Sequence, residues 1–174
     1  MTHPLAIGLG ANLGSEEEIL ERFRGVKVTL ESALEAELRA SPVYRSAPLG
    51  PVADQPAFLN AVLVGSDPEL DPVVLLAALL ELESALGRDR TQGIEQGPRV
   101  IDLDLLIAGE ATVAMDGPTE LIVPHPRMVQ RAFVLAPLAD LVGGDYRLPE
   151  LPLSLADLLA KVAGQELIRT ELNL

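Results

Sequence analysis

The sequence predicts an α+β fold: a ferredoxin-like βαββαβ core followed by a C-terminal helical and strand extension. Two observations carry this. Strand-length apolar segments and capped helical segments follow one another in the order β-α-β-β-α-β between residues 4 and 107. The 174 residues are 48% apolar and only 3% aromatic, so one core of Leu, Val, Ile and Ala in a single domain, residues 1–174, is expected.

The elements follow in order. "PLAIGLG" (4–10) is short, apolar and glycine-terminated, and reads as a strand. "SEEE" (15–18) places Ser15 three residues before Glu18, a capping box that starts a helix running to about residue 34. "ELRASPVYRSA" (37–47) reads as extended, with Pro42 suggesting an edge or a bulge. "PLGPVADQP" (48–56) is a loop and "AFLNAVLVG" (57–65) a strand. In 71–87 Asp71 can cap a helix, Pro72 suits its first turn and Gly87 can end it. A polar loop, 88–98, leads into the strand "RVIDLDLLI" (99–107). Beyond it lie a loop, "PHPRMVQRAF", the apolar "VLAPLADL" and a helix at 154–163.

The charge narrows the function classes. Twenty-six acids against 13 bases give −13, which repels nucleic acid and anionic lipid. A small anionic ligand remains compatible, because a local cluster overrides the mean field. Eleven of the 13 bases are Arg, the residue suited to bidentate phosphate contacts. There is no cysteine, hence no disulfide, thiolate ligand or catalytic thiol. "MTHPLAIGLG" lacks a basic stretch before an apolar one, and apolar runs reach only about eight residues against the roughly 20 a bilayer needs. A cytoplasmic protein without membrane or nucleic-acid partners is expected, a monomer or small oligomer.

The opening of the last core strand raises the chemical question. Alternation puts Ile101, Leu103, Leu105 and Ile107 on one face and Asp102 and Asp104 on the other, beside Val100 and Leu106. The two carboxylates lie about 7 Å apart along the strand and need something cationic over them. Paired hard oxygens suit Mg²⁺ and phosphate chemistry. D-x-D alone is read more plainly as a solvated sheet face with arginine partners. Arg88, Arg90 and Arg99 upstream, with His125, Arg127 and Arg131 downstream, shift the balance toward phosphoryl transfer. "GLGANLG" (8–14) misses G-x-G-x-x-G by one position, and no phosphate-binding G-x-x-x-x-G-K-[ST] exists, so neither a Rossmann nor a P-loop site is expected.

These residues carry a family resemblance. "IGLGANLGS", "YRSAPLGPVADQPAFLNAVL", "LESALGRDR", "GPRVIDLDLLIAG" and "VPHPRMVQRAFVLAPLADL" together resemble the 6-hydroxymethyl-7,8-dihydropterin pyrophosphokinases over about residues 5–141. The resemblance implies transfer of pyrophosphate from the co-substrate ATP to the pterin hydroxymethyl group, with AMP released. It implies two Mg²⁺ held by Asp102 and Asp104, with Arg88 and Arg99 on the triphosphate. Further nucleotide contacts fall on Glu83, Arg90, Leu105, His125 and Arg131. The pterin falls to Ser46, Ala47, Leu49, Asn60, Gln96 and Asp102, between Phe58 and Phe133. The 88–98 loop is expected to order on MgATP, when Arg88 and Arg90 gain phosphate partners. Gln96 stands where many members place a tryptophan, and that loop is one residue longer. The 50–55 stretch is also one residue longer, Ala47 replaces a common proline and Leu80 a polar contact.

Two other readings stay open: a regulatory domain that binds nucleotide without consuming it, and an ordinary kinase moving only the γ-phosphate.

Overall fold

Strand β1 (Leu5–Ala11) shows the alternation from which the site grows. Leu5, Ile7, Leu9 and Ala11 face one apolar cluster, and Ala6 faces the other. The computed structural model describes residues 3–50, 52, 54–66, 69–89, 97–115 and 121–174. In it β1 lies between β4 (Phe58–Gly65) and β5 (Asp102–Ala108), antiparallel to both. Beyond β4 come β3 (Tyr44–Ser46) and the two-residue β2 (Arg39–Ala40), and β8 (Leu167–Arg169) pairs with β3. Among the described residues the main sheet runs β5-β1-β4-β3-β8, with β2 beside β4.

Two helices cover the Leu5/Ile7/Leu9 face. Helix α1 (Glu16–Leu34) carries the capping box: Ser15 Oγ accepts the Glu18 N–H, and the Glu18 carboxylate accepts the Ser15 N–H at 2.7 Å. Helix α2 (Pro72–Ala85) starts from Asp71, which accepts the Val73 N–H at 2.8 Å. Phe23, Leu30, Leu75 and Leu79 bury against Leu59, Leu63, Leu103 and Leu105 of the sheet.

The opposite face is covered only in part. Helices α3 (Ala132–Val142) and α4 (Leu155–Lys161) pack Val134, Leu135, Leu138 and Leu158 over Ala6, Val62, Val64 and Leu106. The chain reaches α3 through the hairpin β6 (Val113–Met115) and β7 (Leu121–Val123), then a 3-10 helix (Pro126–Gln130). The rest of this face is left for the site.

Several expectations need correction. The segment 37–47 is broken into β2 and β3. Ser41 holds the register across the break, its N–H donating to Val62 C=O at 2.9 Å and its Oγ accepting the Val62 N–H at 3.0 Å. β5 begins at Asp102 rather than at 99, because the backbone before it is engaged elsewhere. Arg99 C=O accepts the Asn12 and Leu13 N–H groups, Val100 C=O accepts from Arg22, and Ile101 C=O accepts from Arg88. Ile107 does not share a face with Leu103 and Leu105. The register shifts between Ala6 and Ile7, so Ile7 opposes Leu105 while Ala6 opposes Ile107, and both Leu106 and Ile107 turn to the α3 side. Helix α3 contains Pro137, β8 is the strand of the expected C-terminal extension, and the β6–β7 hairpin is an addition to the sequence reading.

Candidate active site

The half-covered face opens into a cavity of about 240 Å³. Its floor is Gly8 and Gly10 of β1, which lie opposite Asp104 and Asp102 across the β1–β5 pairing. A Cβ at Gly10 would stand 3.5 Å from Asn60 Oδ1 and project into this space. The glycines that miss a nucleotide fingerprint therefore serve as a bare floor. Strand alternation brings Asn60 of β4 and Ser46 of β3 to the same face, and the 46–50 segment supplies Ala47 and Leu49 as a wall. Phe133 at the start of α3 forms the wall across from Phe58.

Asn60 is buried, and its amide donates to Ser46 Oγ at 3.0 Å. That bond fixes the amide with Oδ1 toward the Gly10 side. The cavity thus offers two phenyl rings and a fixed amide, which suits a flat heteroaromatic ring.

At the cavity mouth the carboxylates are already paired. Asp102 is gripped by Arg88 and Arg99, and Asp104 accepts from Arg131 at 3.1 Å. The cationic partners that the sequence calls for over this pair are guanidiniums, the arginine-partner arrangement that D-x-D alone suggests. Burial works to raise the Asp102 carboxyl, but Arg99 and Arg88 outweigh it and hold the group below the ordinary carboxylate range. Arg88 also bonds Glu83 at 2.8 Å and Ile101 C=O at 2.9 Å. It is thus held by three protein partners, from which it would have to turn in part to meet a phosphate.

Other expected residues are placed differently. Glu83 is 1% exposed and accepts the Leu103 N–H at 2.6 Å as well as Arg88. It locks α2 to β5 and sets Arg88 from behind, outside the cavity lining. The Leu105 side chain is buried on the α1–α2 side, so only its backbone is open to a ligand role. His125 caps the 3-10 helix, its Nδ1 accepting the Arg127 N–H at 3.1 Å. Burial lowers its imidazole pKa, with the Asp104 carboxylate opposing. Arg90 and Gln96 lie outside the described residues.

Two residues at the site, Gln130 and Asn12, carry no assignment from the sequence, and Arg127 carries only its place in the arginine cluster. Arg127 and Gln130 line the cavity. Buried Asn12 ties together three segments. Its Oδ1 accepts the Arg99 N–H at 2.8 Å, and its amide donates to Gln55 at 3.2 Å and Pro56 C=O at 2.9 Å. An asparagine just past a strand end was the available signal, since such residues organise loops through side-chain hydrogen bonds.

Among the described residues no group of three or more His, Cys, Asp or Glu side chains converges. Asp102 and Asp104 alone would leave most of a cation's sphere to water and phosphate oxygens, as Mg²⁺ prefers. No helix among them is long and apolar enough to cross a membrane.

Fold and site together define a class: mixed helices and antiparallel sheet, with carboxylates and guanidiniums at the mouth of a ring-lined cavity, the equipment used on polyphosphates. The family model described as 7,8-dihydro-6-hydroxymethylpterin-pyrophosphokinase (HPPK) matches residues 6–143, and the chain belongs to that family. It is 44% identical over 151 residues to the 2-amino-4-hydroxy-6-hydroxymethyldihydropteridine pyrophosphokinase of Pseudomonas aeruginosa, covering 86% of each. It is 40% identical to the mitochondrial folate synthesis bifunctional protein of Arabidopsis thaliana over 81% of this chain, and spans only 24% of that longer protein. The wild-type Plasmodium falciparum HPPK-DHPS crystal structure with pteroate superposes with a TM-score of 0.66 at 14% identity, covering 94% of this chain and 43% of that one. That likeness concerns the fold alone.

Proposed function

We propose that residues 1–174 act as one pyrophosphokinase unit. It transfers the β,γ-diphosphate of ATP to the hydroxymethyl oxygen of 6-hydroxymethyl-7,8-dihydropterin, giving the pterin diphosphate and AMP in folate biosynthesis. The observation that carries this is the adjacency of the Asp102/Asp104–Arg88/Arg99/Arg131 cluster to the cavity of Phe58, Asn60 and Phe133. The strand order β5-β1-β4-β3 supports a ferredoxin-like core.

In this reading the pterin lies between Phe58 and Phe133 over the glycine floor. Asn60 and Ser46 bond its edge, and Ala47 and Leu49 exclude water. The hydroxymethyl group then points to Asp102 and Asp104. Its oxygen bonds to the β-phosphorus as the bond from that phosphorus to the α-phosphate's bridging oxygen breaks, AMP leaves with that oxygen, and the hydroxyl proton passes to solvent water. Asp102 and Asp104 would hold two Mg²⁺, which supply charge neutralisation on the phosphate oxygens and acidify the hydroxyl. Both carboxylates fit that role, since they sit on one face and Asp102 is held ionised by its arginines. For the cations to enter, Arg88 and Arg99 exchange Asp102 for phosphate oxygens, and Arg131 exchanges Asp104 likewise. Glu83 keeps hold of Arg88 during that exchange, and His125 positions the Arg127 backbone beside the nucleotide.

The deciding assay is incubation with MgATP and the pterin, followed by mass spectrometry. AMP and a pterin diphosphate are expected. ADP with a pterin monophosphate would establish an ordinary kinase, and binding without consumption a regulatory domain.

A further inference from the structure

The stretch beyond residue 143 touches the site from behind. After α4 the chain turns, with the Gln165 N–H donating to Val162 C=O at 3.0 Å, and enters β8. The turn carries the Gln165 side chain to the corner between the 3-10 helix and α3. There Gln165 Oε1 accepts the Ala132 N–H at 2.9 Å, and Nε2 donates to Gln130 C=O at 2.7 Å. Both halves of the amide are used, across one corner.

That corner needs such a partner. The first N–H groups of a helix have no partner within it. Arg131 occupies the N-cap position of α3 without a side-chain cap bond, and a guanidinium has no acceptor to offer. Gln165 supplies the missing cap from another element. The same corner carries Arg131, bonded to Asp104 and 5.6 Å over the Phe133 ring, and Phe133 itself. Two residues after Gln165, Leu167 pairs with Ser46, the start of the opposite wall. A crevice of about 20 Å³ lies where Gln165–Leu167 meet Phe133, Ala47 and Leu49.

We propose that Gln165 is a positioning residue for the ring site. It pins the Gln130–Phe133 corner, and β8 ties that corner to the Ser46 wall, so the tail sets the width of the gap between the walls. The ring's identity as a pterin rests on the function proposed above.

The test is steady-state kinetics with the pterin varied at saturating MgATP. Gln165→Ala is expected to raise the pterin KM about fivefold, the scale of a lost helix cap, with kcat within about twofold. A variant that only loses folded molecules lowers kcat and leaves KM untouched. Gln165→Glu keeps the acceptor for the Ala132 N–H at a helix N-terminus but loses the donor to Gln130 C=O, so its KM should fall between wild type and Gln165→Ala or stay as high as in Gln165→Ala. If Gln165→Ala does not unfold cooperatively, Gln165→Asn replaces it: its side chain is one methylene too short to bridge the corner, and KM should again rise. A pterin KM equal to wild type in the shortened variants, or in Gln165→Glu, which breaks the Gln130 half of the pin, overturns the proposal. Wild-type protein that releases no AMP sinks the functional reading itself, and that outcome is visible before any variant is made.

Discussion

The two faces of the central sheet are built from the same strands and behave as two materials. On the α1–α2 side, Leu5, Ile7, Leu9, Leu59, Leu63, Leu103 and Leu105 meet Phe23, Leu75 and Leu79 in an apolar cluster. On the other side the same strands present Gly8, Gly10, Asn60, Asp102 and Asp104 to a cavity. Alternation with period two allows this division of labour within one element. The difference teaches that stability and chemistry can be changed separately, one residue apart. Leu103 is core, and its neighbours Asp102 and Asp104 are site.

The sharpest way to break that separation is at the carboxylates. Asp102→Ala and Asp104→Ala should each reduce turnover by at least about 10³-fold, measured as AMP released. Asp104→Ala, which removes a partly buried pair with Arg131, should cost about 1 kcal/mol in urea unfolding. Asp102→Ala strands Arg99 and leaves Arg88 with Glu83, and should cost more. Near-normal turnover in either variant would end the division.

The mirror experiment lies on the helix side. Phe23 is fully buried, so Phe23→Ala should cost about 3–5 kcal/mol of stability. The pterin KM of the molecules that remain folded should not move. A KM shift comparable to that of Gln165→Ala would show that the helix side communicates with the cavity.

The smallest effect is in pH. The folded Asp102 carboxyl titrates below its ordinary value of 3.8, so the unfolded chain takes up that proton first as pH falls. Its stabilisation is complete above that value and is lost as pH drops through the folded pKa. Burial likewise lowers His125 from 6.5, so stability also declines as pH falls below about 6.5, where only the unfolded state readily binds that proton. Urea midpoints should fall as pH drops below about 6.5 and again below about 3.8, and His125→Asn should remove the first decline. A midpoint rising on acidification would reverse the sign and refute the placement of these groups.

Much of this division was legible in the sequence wherever a local signal had one meaning. Ser15 and Glu18 mark the start of α1 because a capping box is local chemistry, and Asp71–Pro72 marks α2 for the same reason. D-x-D within an apolar strand marked the site face. Signals with two meanings failed. Leu106 and Ile107 are both apolar, so nothing in their side chains announces the bulge that turns both to one side. Pro137 disguised α3, and strands of three residues are too short for alternation to show. Gly8 and Gly10 acquire meaning only through Asp104 and Asp102, their partners across the sheet. That arginines would pair with the carboxylates was legible, but which one meets Asp104 was not, because Arg131 reaches it from a distant part of the chain.

The strand order has a consequence for how this protein is made. Leu5 at the start of the sheet finds one neighbour in Gly65 and the other only in Ala108, and β3 gains its outer neighbour only when Leu167–Arg169 arrive. During synthesis the first strand waits for most of the chain, and such long-range pairings come late and slowly. Gly8 and Gly10 meet Asp104 and Asp102 in the same event that closes the sheet, and the Gln165 corner follows. A nascent chain that ends before Phe133 lacks one of the two walls. A ligand bound in the cavity therefore reports that the sheet and both walls have come together, and by mass action it stabilises the folded molecule alone.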